Sequence, residues 1–364
     1  MKNLIKFFRK FFFLINFIVA LYSLLVFQLS YSADIKHWLA GFLMLSVPVA
    51  LVLNFCFVVF YLASRSWKFL LSLLILVISY PLLQRTFKYS QNVSSNSKAN
   101  FSVLSYNVMY LDHGSYKSKK NRKNAISLSN SADSINADIK CFQELYSDAR
   151  IRDFDMIKRL KVKNRHTAFM QKKIFDKNYK GSVGLAIFSK YPIIATEEIL
   201  WLPNNNGVLR ADIVIRKDTI RVFNVQLKSM GIRVKKVIDA SESERAKQTK
   251  NVLLLLKKGF EDRSSQVNKI EELVSKSPYP VILCGDFNEL PYGYAYGRMR
   301  KQLSNSFESA GRGFGFTYNR ILSFLRIDNQ FYSEKDIKVN SFYTFKEIPW
   351  SDHFPIKGEY EFIQ

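Results

Sequence analysis

Three long runs without a charged side chain fill the start of this chain and restrict what it can become. Residues 11–33 lie uncharged between Lys10 and Asp34, residues 38–64 follow after His37, and residues 69–84 lie between Lys68 and Arg85. Their lengths, 23, 27 and 16 residues, compare with the roughly 20 apolar residues that carry a helix across a bilayer. The first two predict transmembrane helices. The third reaches span length over 67–84, if Trp67 and a snorkelling Lys68 are included; otherwise the chain crosses twice. A cleaved signal peptide fits poorly, because two further apolar runs follow and no small-residue cleavage site stands out.

Short-loop charges give the orientation. Lys2, Lys6, Arg9 and Lys10 precede the first run, and Arg65 and Lys68 separate the second from the third. Both clusters belong on the cytoplasmic side, whereas the loop Asp34–His37 is near neutral. Three spans put everything after Arg85 outside the cytoplasm, in the inner or plasma membrane; two spans put it inside. Residues 1–88 therefore read as a membrane region. Residues 89–100 (YSQNVSSNSKAN) read as a polar linker, and 101–364 as one large domain with its own core.

Charge narrows the partners. Of 54 Lys and Arg, 7 fall in the first 84 residues, and of 30 Asp and Glu, one does. That leaves 47 basic against 29 acidic residues, a surplus of 18, which favours nucleic acid, phospholipid headgroups or other phosphate esters. A solvated basic surface is the plainer reading, so charge alone does not choose. Cys56, Cys141 and Cys284 have neither disulfide nor zinc spacing, and the last two sit in apolar strands as small hydrophobes.

Beyond the linker, short runs rich in Val, Ile and Phe recur at 101–106, 138–143, 166–171, 184–189, 209–216, 219–227, 280–286, 325–332, 337–345 and 356–363. Helical patterns occupy 119–135, 151–161, 241–276 and 294–303. Strands and helices in this mixed order predict an α+β fold, two packed sheets with helices outside.

Polar residues stand at the ends of these strands. CGDFNELP stops an apolar strand with Asp286 and Asn288 at its mouth and a Gly where the backbone must turn. LSYNV ends in Asn107, CFQEL in Glu144, and TIRVFNVQL presents Asn224 and Gln226 on one face. RIDNQF supplies Asp328, and SDHFP supplies Asp352 and His353. Each has a dull explanation as a turn former, cap or surface residue; all of them together at strand ends do not. Glu144 and Asp352, with the Asn107 amide oxygen, are hard ligands suited to Mg²⁺ or Mn²⁺. His353 needs an orienting carboxylate, for which Asp328 is the candidate. Asp286 can hold or deprotonate a water and Asn288 can bond a phosphoryl oxygen. The set describes metal-assisted hydrolysis of a phosphate ester.

The runs SYN, FQE, GLAIFSKYP, FNVQL, GDFN, RID and SDH resemble, in this order, those of the endonuclease/exonuclease/phosphatase family, the superfamily of DNase I. The resemblance covers about residues 100–364. It implies a four-layer α/β/β/α sandwich preceded here by transmembrane helices. It also implies a metal at Glu144 with Asn107 and Asp352 close by, Asp286 and Asn288 on the attacking water and the phosphate, and His353 with Asp328 in phosphate stabilisation or acid–base work. One position departs: many members have His where this chain has Gln226, and an amide can donate a hydrogen bond but cannot deliver a proton. The expected function is a membrane-anchored phosphoesterase acting on nucleic acid, a phospholipid or a small phosphate ester, with no protein partner evident. The rival expectation, favoured by Gln226, is a catalytically weakened module that grips an anionic ligand.

Overall fold

Strands buried on both faces must lie between two covering layers, and the pattern of this chain produces several of them. In the computed structural model, which describes residues 2–89, 99–171, 181–201, 206–229, 241–320 and 322–363, β1 is Phe87–Lys88 and β2 is Phe101–Asn107. β2 sends Phe101 and Val103 to one side and Leu104 and Tyr106 to the other, and every residue in it is buried. There follow β3 (Ile139–Ser147), β4 (His166–Gln171), β5 (Ser182–Ser189), β6 (Ile193–Trp201), β7 (Asn206–Ile215) and β8 (Asp218–Gln226). The last are β9 (Val281–Asp286), β10 (Ser304–Asn305), β11 (Gly313–Phe314), β12 (Asp328–Tyr332), β13 (Ile337–Thr344) and β14 (Ile356–Phe362).

They make two six-stranded sheets, ordered β13-β14-β2-β3-β5-β4 and β10-β12-β9-β8-β7-β6. The inner faces meet in one apolar core, with Val103, Ile139 and Ile187 from the first sheet against Leu209, Val222 and Ile282 from the second. Cys141 and Cys284 lie in this core as free thiols. Outside the first sheet pack α6 (His113–Lys117), α7 (Arg122–Ser134) and α8 (Met156–Lys161); outside the second pack α9 (Glu242–Ser275) and α10 (Tyr294–Arg300), while α11 (Ser306–Ala310) adds Phe307 and Ala310 to the core between the sheets. The fold is the expected α+β sandwich of two sheets between helices.

Two pairs of strands decide where polar ends collect. β2 and β3 are parallel and joined through α7, and β8 and β9 are parallel and joined through α9. A parallel pair brings both carboxyl ends to one edge of its sheet. Buried amides then tie the two edges together. Asn224 of β8 donates from Nδ2 to the carbonyls of Phe142 (2.9 Å) and Ala186 (3.0 Å), and its Oδ1 accepts from Gln143 Nε2 (2.6 Å). Gln330 of β12 likewise donates to the Val103 and Ile356 carbonyls of the other sheet.

The amino-terminal part forms α1 (Lys2–Ser32), α2 (Trp38–Met44), α3 (Val47–Ala63), α4 (Phe69–Ile78) and α5 (Tyr80–Gln84). Phe7–Ser32 and Trp38–Ala63 are each 26 residues, with mean hydropathies of 2.2 and 2.5, long and apolar enough to cross a membrane. The third run does not form one such helix: it breaks at Ser79 into helices of 10 and 5 residues, with Pro81 at the start of the second. The stacked rings of Phe12 and Phe60 and the bond from Asn54 Nδ2 to Ser23 Oγ (2.7 Å) set α3 antiparallel to α1. Bonds from Ser72 to Asn16 and from Tyr31 to the Ile78 carbonyl bring α4 back along α1 in parallel.

A polar linker at 89–100 would leave the two parts loosely joined; most of it, 90–98, lies outside the described residues. Contacts join them regardless. β1 pairs with β11, and Ala40 and Met44 of α2 share the apolar cluster of α9 and α10. The sequence reading also missed β6, the edge strand whose run IIATEEILW alternates half-buried and exposed residues and so lacks a continuous apolar signature.

Removing the Asn224 amide leaves buried carbonyls and the Gln143 amide without their partner. Asn224→Ala should cost about 2 to 3 kcal/mol, read as a lower midpoint of chemical denaturation of the full chain. An unchanged midpoint would show that the sheets do not depend on this bridge.

Candidate active site

Backbone register alone brings three of the sequence-identified residues into line. Gln226 is the register partner of Asp286 between β8 and β9, and Asp286 is that of Asp328 between β9 and β12. Gly285 is required at this point. Its φ is +143°, and a Cβ there would come within 1.9 Å of the Val225 carbonyl oxygen, so the GDFN turn excludes every other residue.

Asp286 is buried and held by three hydrogen bonds. Its Oδ1 accepts the Asn288 N–H (2.9 Å), and its Oδ2 accepts Asn107 Nδ2 and Asn288 Nδ2, each at 3.0 Å. Across from it, His353 places Nε2 4.0 Å from Asp286 Oδ2 and Nδ1 2.8 Å from Asp328 Oδ2. The Asp328 N–H donates to Thr317 Oγ1 at 3.1 Å, and the ring of Tyr318 stands edge-on to His353 with centroids 5.6 Å apart.

Glu144 arrives from the other sheet. It sits where the β3–β5 register slips between Phe142 and Leu145, with a left-handed φ of +54°. A non-glycine residue held there stores about 1 to 3 kcal/mol of strain, and the bulge turns the carboxylate out of the strand. Its Oε1 accepts Gln226 Nε2 at 2.7 Å. Asp352 is half-buried at the rim; its carboxylate accepts Ser351 Oγ at 3.3 Å, while Ser351 also donates to the Asn107 carbonyl at 2.8 Å.

Electrostatics separate the carboxylates. Burial pushes the Asp286 carboxyl well above the usual carboxylate range; His353 pulls against this, while Asp328 and Glu144 add to it. Burial pulls the His353 imidazolium down, but Asp328, Asp286 and Asp352 together outweigh it, so the ring holds its proton well above the ordinary histidine range. Ligand-type atoms of Asp286, Asp328 and His353 lie within 4.8 Å of one another, close enough to surround a cation. An imidazole facing a carboxylate from each nitrogen is better matched by a proton, which both carboxylates stabilise. A hard divalent cation is better matched by carboxylate oxygens such as those of Glu144 and Asp352.

All eight expected residues gather at this edge, but three amides are used differently from expectation. Asn288 Nδ2 donates to the Leu227 carbonyl (3.0 Å) as well as to Asp286, so its amide supports the carboxylate rather than reaching outward. Asn107 points Nδ2 at Asp286, and its Oδ1 takes the Met109 N–H at 3.1 Å. Gln226 orients Glu144. Sequence reasoning overlooked Ser351, Thr317 and Arg263, whose buried Nη1 donates to the Asn288 carbonyl at 2.9 Å. Ser351 lay in the SDH run; Arg263, in the middle of a long helix, carried no signal.

Comparison with known proteins gives consistent results. A model described as the Endonuclease/Exonuclease/phosphatase family matches residues 104–353, and a domain of unknown function, DUF8431, matches residues 9–86. No curated protein matches the chain. Among solved structures, the endonuclease/exonuclease/phosphatase from Beutenbergia cavernae is similar with a TM-score of 0.50 and 16% identity, over 72% of this chain and 71% of that one. The human Nocturnin catalytic domain with bound sulfate anion gives 0.48 and 18%, over 72% and 93%. Truncated Caenorhabditis elegans TDP2 gives 0.48 and 18%, over 72% and 98%.

The chain has 4 histidines, so their ring signals can be followed individually by NMR. His353 should keep its proton on raising the pH past the point where an ordinary histidine loses it. Asp328→Asn should lower that titration, because it removes both a charge and a hydrogen-bond acceptor. Titration of His353 at the ordinary value would refute the buried charge arrangement.

Proposed function

The chain belongs to the endonuclease/exonuclease/phosphatase family through residues 104–353, and on that premise we propose that it is a membrane-anchored, divalent-metal-dependent phosphoesterase. The observation that carries the chemistry is the buried pair Asp286 and His353, 4.0 Å apart, with Asp328 behind the imidazole.

In this reading Glu144 and Asp352, with the Asn107 amide nearby, would hold Mg²⁺ or Mn²⁺, which would supply positive charge against the negative charge that builds on the phosphoryl oxygens. Asp286, fixed by Asn107 and Asn288, orients an attacking water and takes its proton. Its raised affinity for a proton suits that role near neutral pH. His353, kept protonated by Asp328, donates a hydrogen bond to a phosphoryl oxygen. Gln226 aims Glu144, so the proton that many relatives would deliver from this position has to come from elsewhere. The surplus of basic residues supports an anionic substrate, nucleic acid or phospholipid, and a steep loss of binding with salt would favour the former.

The amino-terminal helices support anchoring. Large apolar side chains of α1, α3 and α4, such as Leu14, Ile18, Leu25, Val49, Val52, Phe55 and Leu74, are exposed along their lengths, a surface far larger than soluble proteins tolerate. Buried pairs between helices, Asn54 with Ser23 and Ser72 with Asn16, are the kind of bond that holds helices together in lipid. The third run, with Trp67 and Lys68, is broken at Ser79 but continues in the same direction through α4 and α5. Its return along α1 supports three crossings, with the two basic clusters together on the cytoplasmic side and residues 101–364 outside.

Glu144→Gln should reduce Mg²⁺-dependent turnover sharply with the fold intact, and His353→Ala should lower the rate by about 10²-fold or more. The rate should rise with pH as Asp286 loses its proton, and fall on the alkaline side only beyond the ordinary histidine range. Turnover that survives both substitutions would refute these roles, whereas anion binding without turnover in the unsubstituted chain would favour the rival reading, an anion-binding module. For topology, a reporter active only outside the cytoplasm should work when fused after Gln91 and stay silent after Arg65. Silence at Gln91 would place the domain in the cytoplasm.

A further inference from the structure

The loop that leaves the site runs directly into the helix bundle. Leu290 and Tyr292, just beyond Asn288, pack in the same apolar cluster as Phe27, Val47, Ile75 and Leu82 of α1, α3, α4 and α5. Arg85, which ends α5, is only 7% exposed at this junction. One of its nitrogens, Nη1, donates to the Pro291 carbonyl (3.1 Å), to Ser30 Oγ (3.1 Å) and to the Ser30 carbonyl (3.4 Å). Ser30 Oγ in turn donates to the Tyr292 carbonyl at 2.7 Å. One bond from Arg85 at the end of α5 and one from Ser30 near the end of α1 therefore hold the backbone of 291–292.

The same arginine reaches the second carboxylate-bearing segment. Its carbonyl accepts Arg326 Nη1 at 2.5 Å, and Arg326 stands two residues before Asp328. The guanidinium carbons of Arg85 and Arg326 lie 5.2 and 5.6 Å from the centre of the Tyr296 ring. One residue of the membrane region thus touches both the segment that carries Asp286 and Asn288 and the segment that carries Asp328.

We propose that Arg85, assisted by Ser30, is a positioning residue that couples the helix bundle to the active site, so that the bundle governs turnover as well as location. The proposal rests on the phosphoesterase reading for its kinetic consequence and on the geometry for its structural one. A buried guanidinium that satisfies several carbonyls fixes main chain, whose displacement by even 1 Å costs catalytic alignment. Loosening that main chain misplaces Asp286 relative to His353 and leaves the Glu144–Gln226 pair on β3 and β8 in place.

The test uses the full chain in lipid nanodiscs with Mg²⁺ and a phosphodiester substrate. Arg85→Ala should lower kcat about tenfold or more, with KM within about twofold. Arg85→Lys should recover part of the loss, because an ammonium can donate to the same carbonyls. Ser30→Ala, the milder change, should lose less. Asn54→Ala and Ser72→Ala break bonds inside the bundle away from the junction and should leave kcat near wild type. Amide hydrogen exchange supplies the readout that needs no activity: Arg85→Ala and Ser30→Ala, which leave the bond from Arg326 to the Arg85 carbonyl in place, should speed exchange at 286–292. Unchanged exchange there, or an equal kcat loss in Asn54→Ala, would overturn the coupling. Faster exchange in a chain without metal-dependent activity would uphold the coupling and sink the phosphoesterase reading instead.

Discussion

The site depends on one buried amide more than on any of the groups around it. Asn224 satisfies carbonyls of β3 and β5 from a strand of the opposite sheet, and no apolar contact could fix the two sheets in register with such directionality. Apolar packing tolerates sliding by a fraction of a side chain; a set of bonds at 2.6 to 3.0 Å does not. Because Glu144 comes from one sheet and Gln226, Asp286 and Asp328 from the other, that register is what makes a single site. Parallel pairing of β2 with β3 and of β8 with β9 brings the carboxyl ends of these strands to one edge, and antiparallel β12 meets them there with its amino end, Asp328.

Charge at this edge runs against the rest of the molecule. The chain carries a formal charge of +24, yet the carboxylates of Asp286, Asp328 and Asp352 act on the one imidazole of His353, and Glu144 acts on Asp286. Confining them costs free energy unless protons, amide donors or a cation compensate. The amides of Asn107 and Asn288 stabilise Asp286, and Asp328 has the His353 ring. Glu144 accepts the Gln226 amide.

The polar strand ends were legible because turn chemistry and apolar runs are local: a strand must stop where Gly285 and Asp286 follow Val281–Cys284, and the long face of α9 is visible in the spacing of Val267, Ile270 and Val274. Which way an amide points is not local. Asn288 turned inward because the Leu227 carbonyl, 61 positions away, was waiting for it. β6 escaped notice because an edge strand with one wet face needs no apolar run. The third apolar run was readable as hydrophobic but not as broken, since the break at Ser79 and Pro81 is a backbone event within an uncharged segment.

The division of the chain at a polar linker is compositional, and its packing follows a different boundary. Ala33 of the α1–α2 connection meets Gly297 so closely that a Cβ on that glycine would lie 2.3 Å from the Ala33 Cβ, and Gly41 of α2 is covered in the same way by Phe260 of α9. Asp34 reaches Arg298 and Lys301. Side chains that face this junction, among them Tyr292, Tyr296 and the buried cations Arg85 and Arg326, have no water-facing alternative in the folded chain. Cutting at the linker would expose their apolar surface and strip the 291–292 carbonyls of their donors, five residues from Asp286. A fragment beginning after the linker would keep every residue of the sandwich and every group of the proposed chemistry. It would still lack part of what holds Asp286 in place, because the site's outermost supports are residues of the amino-terminal helices.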